Sequence, residues 1–413
     1  MAESAGEAIE VPTKRIKFED AEKLFFQNFL YRRENQRTLL SLRNNATEVA
    51  RGLSDMTVTF LNVKTENACG STSFTNATCE VASILEPADG GNKETIVLPL
   101  GALFKDGMQT ILQFLNKNNP SIPQDVAKRR ALKDLLTFLH ISSGDLWLCE
   151  IPESGKRLTA RLAQHLIAPL APEKNILFNS TYINDIENCC DSVHPIYGEA
   201  GDTSFGCVDG WHGEVDILTA DRSVAVSVLD EKDDEIPTTV SDSSLDNSLF
   251  MDRLRQQMLS ETIVFSFLLF NETGGSLKNY LVPTVGISTE KLKIFFYDCV
   301  EDILLEACPT NLFYTAPSDR QIHTRAVLML WLTLNYEIFC TGVPDVLKRN
   351  KSDFFRKIGH EVHERYRNNV SRNFHGKPKG SMNDVYTGGQ NANHGILNEA
   401  ELEKPTNKSI TLF

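Results

Sequence analysis

Apolar residues along the chain fall into two kinds of stretch, one repeating at helical spacing and one alternating or running on as strands do. Residues 19–50 (EDAEKLFFQNFLYRRENQRTLLSLRNNATEVA) carry Phe25, Phe26, Phe29 and Leu30, then Leu39, Leu40 and Leu42, among charges. That spacing predicts one long helix suited to packing or assembly. Asp55–Val63 (DMTVTFLNV) alternates at period two and Thr95–Leu100 (TIVLPL) is rich in strand formers, with the turn-forming ADGGN between them. A second helix is predicted over Asp125–Leu139, where Val126, Ala131, Leu132, Leu135, Leu136 and Leu139 share one side.

The pattern changes character near residue 145, where a domain boundary is expected. Beyond it a helix over Arg157–Leu170 leads through an Asn/Asp/Ser/Cys-rich loop to Trp211. Two short strands follow, Val215–Thr219 and Val224–Leu229, then an acidic Ser/Asp-rich loop to Asn247 and a long helix over Leu249–Phe270. Tyr280–Ile287 and Leu292–Tyr297 read as two more strands, and Gln321–Cys340 as a helix apolar around most of its circumference. Several of these strands are continuous apolar runs, as expected when both faces of a sheet are covered. The expected fold class is therefore α/β, a mixed sheet flanked by helices with an additional α+β N-terminal region. The expected divisions are a flexible N-terminus (1–18), the N-terminal region (19–145), a central domain (146–345), a basic segment (346–379) and a disordered tail (380–413).

Composition narrows the class. With 41% hydrophobic and 23% charged residues over 413 positions, the chain reads as globular, with length for two or three domains. Its longest apolar block, Ala326–Leu334, falls well short of the ~20 residues needed to span a bilayer, so no membrane partner is expected. An acidic start without an apolar leader core predicts an intracellular chain, in cytoplasm or nucleus. Nine cysteines with no C-x-x-C pair suggest reduced thiols and neither a zinc ribbon nor a disulfide framework. A net charge of −13 argues against broad, nonspecific coating of DNA. Phosphate-loop, dinucleotide and nucleophile-elbow motifs are missing, and the histidines of HEVHE (His360–Glu364) are spaced three apart where a zinc helix needs four.

The stretch HGEVDILTADRSVAVSVLDEK (His212–Lys232) carries the candidate chemistry. It resembles the core of the PD-(D/E)XK, or restriction-endonuclease-like, phosphodiesterase superfamily, whose elements run helix, three strands, helix, strand. The resemblance covers roughly residues 153–300. It implies an aspartate opening the second strand, an acidic-x-lysine triplet on the third and often a glutamine on the next helix. Asp216 stands at the first position, SVAVSVLDEK at the third strand, and Gln256 and Gln257 on the helix. The blocks WHGEVDIL, LVPTVGIS and FYDCVEDILL are also similar to invertebrate proteins with a nuclease-like core, a likeness that carries no assigned activity.

Such a core would hold Mg²⁺ through carboxylates and retained waters, the metal activating a water that a lysine helps orient. Two strand registers are open. If Val224, Val226 and Val228 face the core, the triplet reads Ser227, Val228 and Leu229, and the site lacks its second acid and its lysine. If the triplet is Asp230, Glu231 and Lys232, these lie on the face of the valines. One residue of slip separates the two, and a bulge near Leu229 would reconcile them. The expectation is a nuclease-derived protein whose catalysis is lost or weakened, acting as a nucleic-acid-associated or protein-interaction module. The alternative is an active Mg²⁺-dependent nuclease with Asp216 and Asp230 as metal ligands, Lys232 orienting water, and Gln257 or Gln256 in support.

Partners expected on this reading are DNA or RNA, or a protein partner or second copy engaged through residues 19–50. Lys348–Lys379 holds ten lysines and arginines against three acids, net +7, with Phe354, Phe355, Tyr366 and Phe374 interleaved. Those aromatics either stack on bases or pack on the core, and the cations either bind phosphates or form a solvated basic face. His212, beside Trp211, reads as a structural histidine.

Overall fold

The structure, a computed structural model, describes residues 18–53, 56–87, 92–142, 155–189, 197–219, 223–229, 243–288, 290–314 and 322–374. The expected flexible N-terminus up to residue 17, the boundary near 145, the acidic run Asp230–Glu235 and the tail from 380 lie outside the described residues.

The single helix expected over 19–50 is two, α1 (Phe18–Tyr31) and α2 (Gln36–Arg51). The break has a local cause. Arg32 takes an extended conformation (φ −69°, ψ 131°), and buried Asn35 donates its amide back to the Phe29 carbonyl at 3.1 Å. Gln36 does the same to Leu30 at 2.8 Å, so two carbonyls left open at the end of α1 gain side-chain donors. α2 stops at Gly52, whose φ of +63° suits glycine and whose N–H reaches the Glu48 carbonyl at 3.0 Å. Phe26, Phe29, Leu42, Ala46 and Val49 are buried in the chain's own core, while Leu24, Tyr31 and Leu40 stay exposed.

Eleven strands make one mixed sheet. They are β1 (Thr57–Thr65), β2 (Cys79–Ser83), β3 (Val97–Pro99), β4 (Ile176–Asn179), β5 (Glu199–Gly201), β6 (Ile217–Thr219), β7 (Ala225–Val228), β8 (Leu281–Ile287), β9 (Lys291–Asp298), β10 (Ile303–Ala307) and β11 (Thr310–Asn311). The main path runs β2-β1-β10-β9-β8-β7-β6-β4-β5, with β3 on β1 and β11 on β9. Pairs β7–β8 and β4–β5 are parallel and the others antiparallel. β8 is buried at every position, because it lies inside the sheet with both faces covered.

Helices α3 (Lys105–Phe114), α4 (Val126–Ser142), α5 (Gly155–Leu162), α6 (Ser243–Glu272), α7 (Thr324–Leu334) and α8 (Phe354–Asn369) supply the covers. Alternate residues of each strand divide between two cores. Ile294, Phe296, Ile303 and Leu305 join α2, α4, α5 and α7. Phe295, Tyr297 and Leu304 join α6 and α8. α7 is buried along its length, as its apolar circumference predicts, and Trp331 within it donates its indole N–H to the Ala131 carbonyl at 2.8 Å. A second, four-stranded sheet of Thr72–Ser73, Ser204–Gly206, Trp211–Glu214 and Ser371–Arg372 lies against the outer side of α6, with Phe205 on Phe265 at 5.2 Å. No helix among the described residues is long and apolar enough to cross a membrane.

The N-terminal region is not set apart from the central strands. β1 hydrogen-bonds β10 with Phe60 opposite Leu305, and the described residues belong to one compact unit. Phe60 is fully buried, so Phe60→Ala is expected to cost about 3–5 kcal/mol. Because β1 and β10 share a ladder, the loss is expected to shift one coincident unfolding transition, followed in denaturant by tryptophan fluorescence and far-ultraviolet circular dichroism. Two separated transitions, one of them unmoved, would show that the N-terminal strands fold on their own.

Candidate functional site

The valine-rich strand settles the register. Val224 and Val226 lie in the core with α5, and Val228 packs against it, while Ala225 and Leu229 lie on the α6 side. β7 pairs with β8 in steady register from Ala225 to Val228, and the Leu229 N–H continues the ladder to the Ile287 carbonyl at 2.7 Å. No bulge intervenes among the described residues, which end at Leu229, so in this register the positions of the expected triplet are Ser227, Val228 and Leu229, with Ser227 and Leu229 on the α6 face. Leu229 is 5% exposed, an apolar side chain where the resemblance would place a lysine.

Asp216 stands at a bend between Trp211–Glu214 and β6, one step beyond the cross-strand pair Ile217–Val226. Its backbone carbonyl accepts from Asn179 N–H at 2.9 Å. One carboxylate oxygen accepts from the Tyr182 hydroxyl in a short hydrogen bond, and the other from the Val228 N–H at 2.6 Å. Tyr182 is delivered by the turn after β4, which Asn179 caps by accepting from Thr181 N–H at 3.0 Å. Burial of its carboxyl raises the Asp216 pKa above the usual carboxylate range, opposed by these two donors. Burial and the neighbouring Asp216 charge push the Tyr182 phenol up.

The second carboxylate comes from α6. Glu261 is 1% exposed; it accepts from Ser227 Oγ at 2.8 Å and from the Gln257 amide, one turn earlier, at 2.8 Å. Burial pushes its pKa up to about 8, with Asp216 adding to the rise. Glu261 is therefore mainly protonated at neutral pH. Of the residues expected at the site, Asp216 immediately precedes β6 and Gln257 donates to Glu261. The Gln256 side chain makes no hydrogen bond among the described residues, and Asp230 and Lys232 lie outside them.

Sequence reasoning passed over Tyr182 and Glu261. Glu261 had a signal, being a lone acid in the apolar run LSETIVFSFLLF four residues after Gln257, the spacing of neighbours on one helical face. Tyr182 had none, since it lies 34 residues from Asp216 in a polar loop.

A magnesium site asks for ionised oxygen ligands with room for water. The described residues fit that demand poorly: the α6 face of β7 offers Ser227 and the apolar Leu229, and burial raises the Glu261 pKa, so that its carboxyl holds a proton more tightly than an exposed one. Asp216 is also held between two donors.

The other candidates take structural places. His363 lies between Phe355 and Phe267, with ring centroids at 4.0 and 5.7 Å. Phe354 and Tyr366 are fully buried around Trp211, whose N–H donates to the Tyr366 hydroxyl at 2.9 Å. Phe374 stacks on His212 at 4.3 Å. The basic segment is largely neutralised from within. Lys348, Arg349, Lys351, Arg356, Arg365 and Arg372 pair with Asp345, Glu86, Glu301, Asp353, Glu361 and Glu272.

No family model, curated protein or solved structure matches the chain.

The Glu261 pKa gives a pH signature. Its folded value of about 8 exceeds the ordinary 4.5. Its favourable contribution is therefore complete below about 4.5 and lost as pH rises through about 8. Wild-type stability in urea is expected to fall by on the order of a few kcal/mol across that window relative to Glu261→Gln. Parallel pH profiles for the two proteins would contradict a neutral, buried Glu261.

Proposed function

We propose that the chain is a nuclease-derived protein with a restriction-endonuclease-like core that has lost metal-dependent phosphodiester hydrolysis and serves as a nucleic-acid-associated or protein-interaction module. The order α5, β4, β6, β7, α6, β8 supports this reading: with β5, the helix Ile183–Cys189 and two strands of the small sheet inserted between β4 and β6, it runs helix, three strands, helix, strand as that core does. Asp216 immediately precedes the second of those strands and Gln257 lies on the following helix. The observation that carries the loss of catalysis is the Ser227–Glu261 hydrogen bond. A face that would present an acid, a lysine and a metal to a phosphodiester instead presents a serine and a leucine, closed over by a protonated helix carboxyl.

With no lysine on the described part of β7 and the Glu261 carboxyl engaged by Ser227 and Gln257, a metal would lack a free charge partner and the attacking water a group to orient it. Binding does not need either, because a basic or apolar surface suffices for association. Purified protein is expected to leave single- and double-stranded DNA and RNA uncut in Mg²⁺ or Mn²⁺, at the background of Asp216→Ala assayed beside it. Metal-dependent cleavage that disappears in Asp216→Ala would overturn the proposal and restore the active nuclease.

A further inference from the structure

One face of α2 is spent on the core and the other carries positive charge. Leu39, Leu42, Asn45, Ala46 and Val49 turn inward and are buried. On the far side, Arg37, Leu40, Asn44, Thr47 and Arg51 recur three or four residues apart and so form one stripe. Arg33 stands a turn earlier, in the 3₁₀ turn Arg33–Asn35, and Arg43 flanks the stripe. Arg33, Arg37 and Arg51 are exposed and Arg43 is half-buried. At helical rise, Arg37 and Arg51 lie about 21 Å apart along the axis.

Carboxylates do not answer these cations. The stretch from Arg32 to Arg51 holds two acids, and each already has another partner: Glu34 pairs with Arg32 at 3.3 Å, and Glu48 with Arg325 of α7 at 2.5 Å. The elements packed on α2 are α1, α3, α7 and residues 97–103. Of their acids with described side chains, Glu22 pairs with Arg129 and Asp106 with Lys128, both at 2.9 Å. Arg33, Arg37, Arg43 and Arg51 make no ion pair or side-chain hydrogen bond among the described residues. α8 presents the opposite case, since Arg356 and Arg365 there are engaged by Asp353 and Glu361.

We infer that this face of α2 binds the phosphate backbone of a nucleic-acid duplex, its four free guanidinium groups each meeting a phosphate. A guanidinium offers a planar fork of donors that matches phosphate oxygens and stays charged at physiological pH. An acidic protein would present carboxylates to the same fork, but protein interfaces are depleted of charge at an apolar centre. Here Leu40 is the one apolar member of the stripe, with arginines and amide or hydroxyl side chains around it. A row fixed on a helix suits phosphates that a duplex holds at fixed spacing. The chain as a whole carries −13, so negative charge elsewhere disfavours other approaches of a polyanion. The inference rests on the nucleic-acid branch of the proposed function and uses none of the residues around Asp216. Its failure would therefore leave the loss of catalysis standing.

The test is fluorescence anisotropy of labelled DNA and RNA duplexes, each longer than the arginine row, titrated with the full chain in EDTA at several salt concentrations. Four phosphate contacts predict that the logarithm of the association constant falls against that of salt with a slope of about −3.6 on DNA. Affinity is thus expected to drop roughly a hundredfold between about 50 and 200 mM salt. Arg37→Gln and Arg51→Gln are each expected to reduce the magnitude of the slope by about one, and Arg37→Lys to keep it. Arg356→Gln, which removes a paired cation of α8, is expected to leave the slope unchanged. Tighter binding of the DNA or of the RNA duplex identifies which of them supplies the backbone. No duplex binding by folded wild-type protein, or a slope that the α2 variants do not move, overturns the proposal. Binding of poly-glutamate that depends on Arg37 and Arg51, without duplex binding, also overturns it and assigns the face to an acidic protein.

Discussion

Residues 258–269 of α6 are buried without interruption, because the helix is enclosed by the large sheet, the small sheet and α8. A helix covered on all sides tolerates apolar residues anywhere, but each polar side chain on it must find its partner inside the protein. Four such groups lie in this stretch. Ser260 donates to the Gln257 carbonyl at 2.7 Å, and Thr262 to the Met258 carbonyl at 2.6 Å, in contact with Thr284. Ser266 accepts from the Cys299 N–H at 3.1 Å. Glu261, the one acid, turns to Ser227 and Gln257. The enclosure of α6 thus raises the Glu261 pKa and fixes its carboxyl between Ser227 and Gln257.

Asp216 meets the same constraint from the strand side. Its carboxylate joins the turn after β4, through Tyr182, to β7, through the Val228 N–H. Hydrogen bonds to a charged group are worth roughly 1.5–3 kcal/mol each, so the residue binds three segments of chain together whether or not a metal ever visits. A cation entering here would compete with both donors for the same oxygens and would need Glu261 to release its proton. The geometry favours a carboxylate that holds the fold over one held open for a ligand.

Much of the element order was legible in the sequence, and the reasons differ by residue. The continuous run LVPTVGI predicts a doubly covered strand because burial on both faces removes the alternation that a half-exposed strand shows. The valines at 224, 226 and 228 carried the correct register, but Asp230–Lys232 offered a second one with a literal acid and lysine; only the β8 ladder separates them. The break between α1 and α2 was hidden because its cause is the tertiary burial of Asn35, within the polar stretch 32–38 whose residues are ordinary on the wet face of a helix. Nor could spacing reveal that β1 pairs with β10 some 240 residues later, since strand pairing of that range leaves no local trace. At the site the lone position Asp216 was readable. Glu261 had a local signal in its spacing from Gln257, whereas Tyr182 had none, because folding alone brings it to Asp216.

The distribution of positive charge bears on what kind of anion this chain can hold. An interface that follows a nucleic-acid backbone needs several unpaired cations along a track, because affinity there grows with each phosphate neutralised. In the basic segment six cations are engaged by carboxylates, Arg372 with both oxygens of Glu272 at 2.5 and 2.7 Å. A seventh, Arg367, lies over the Phe270 ring at 5.1 Å. These pairs fasten α8 and the final short strand to the rest of the molecule, so positive composition there is spent on cohesion.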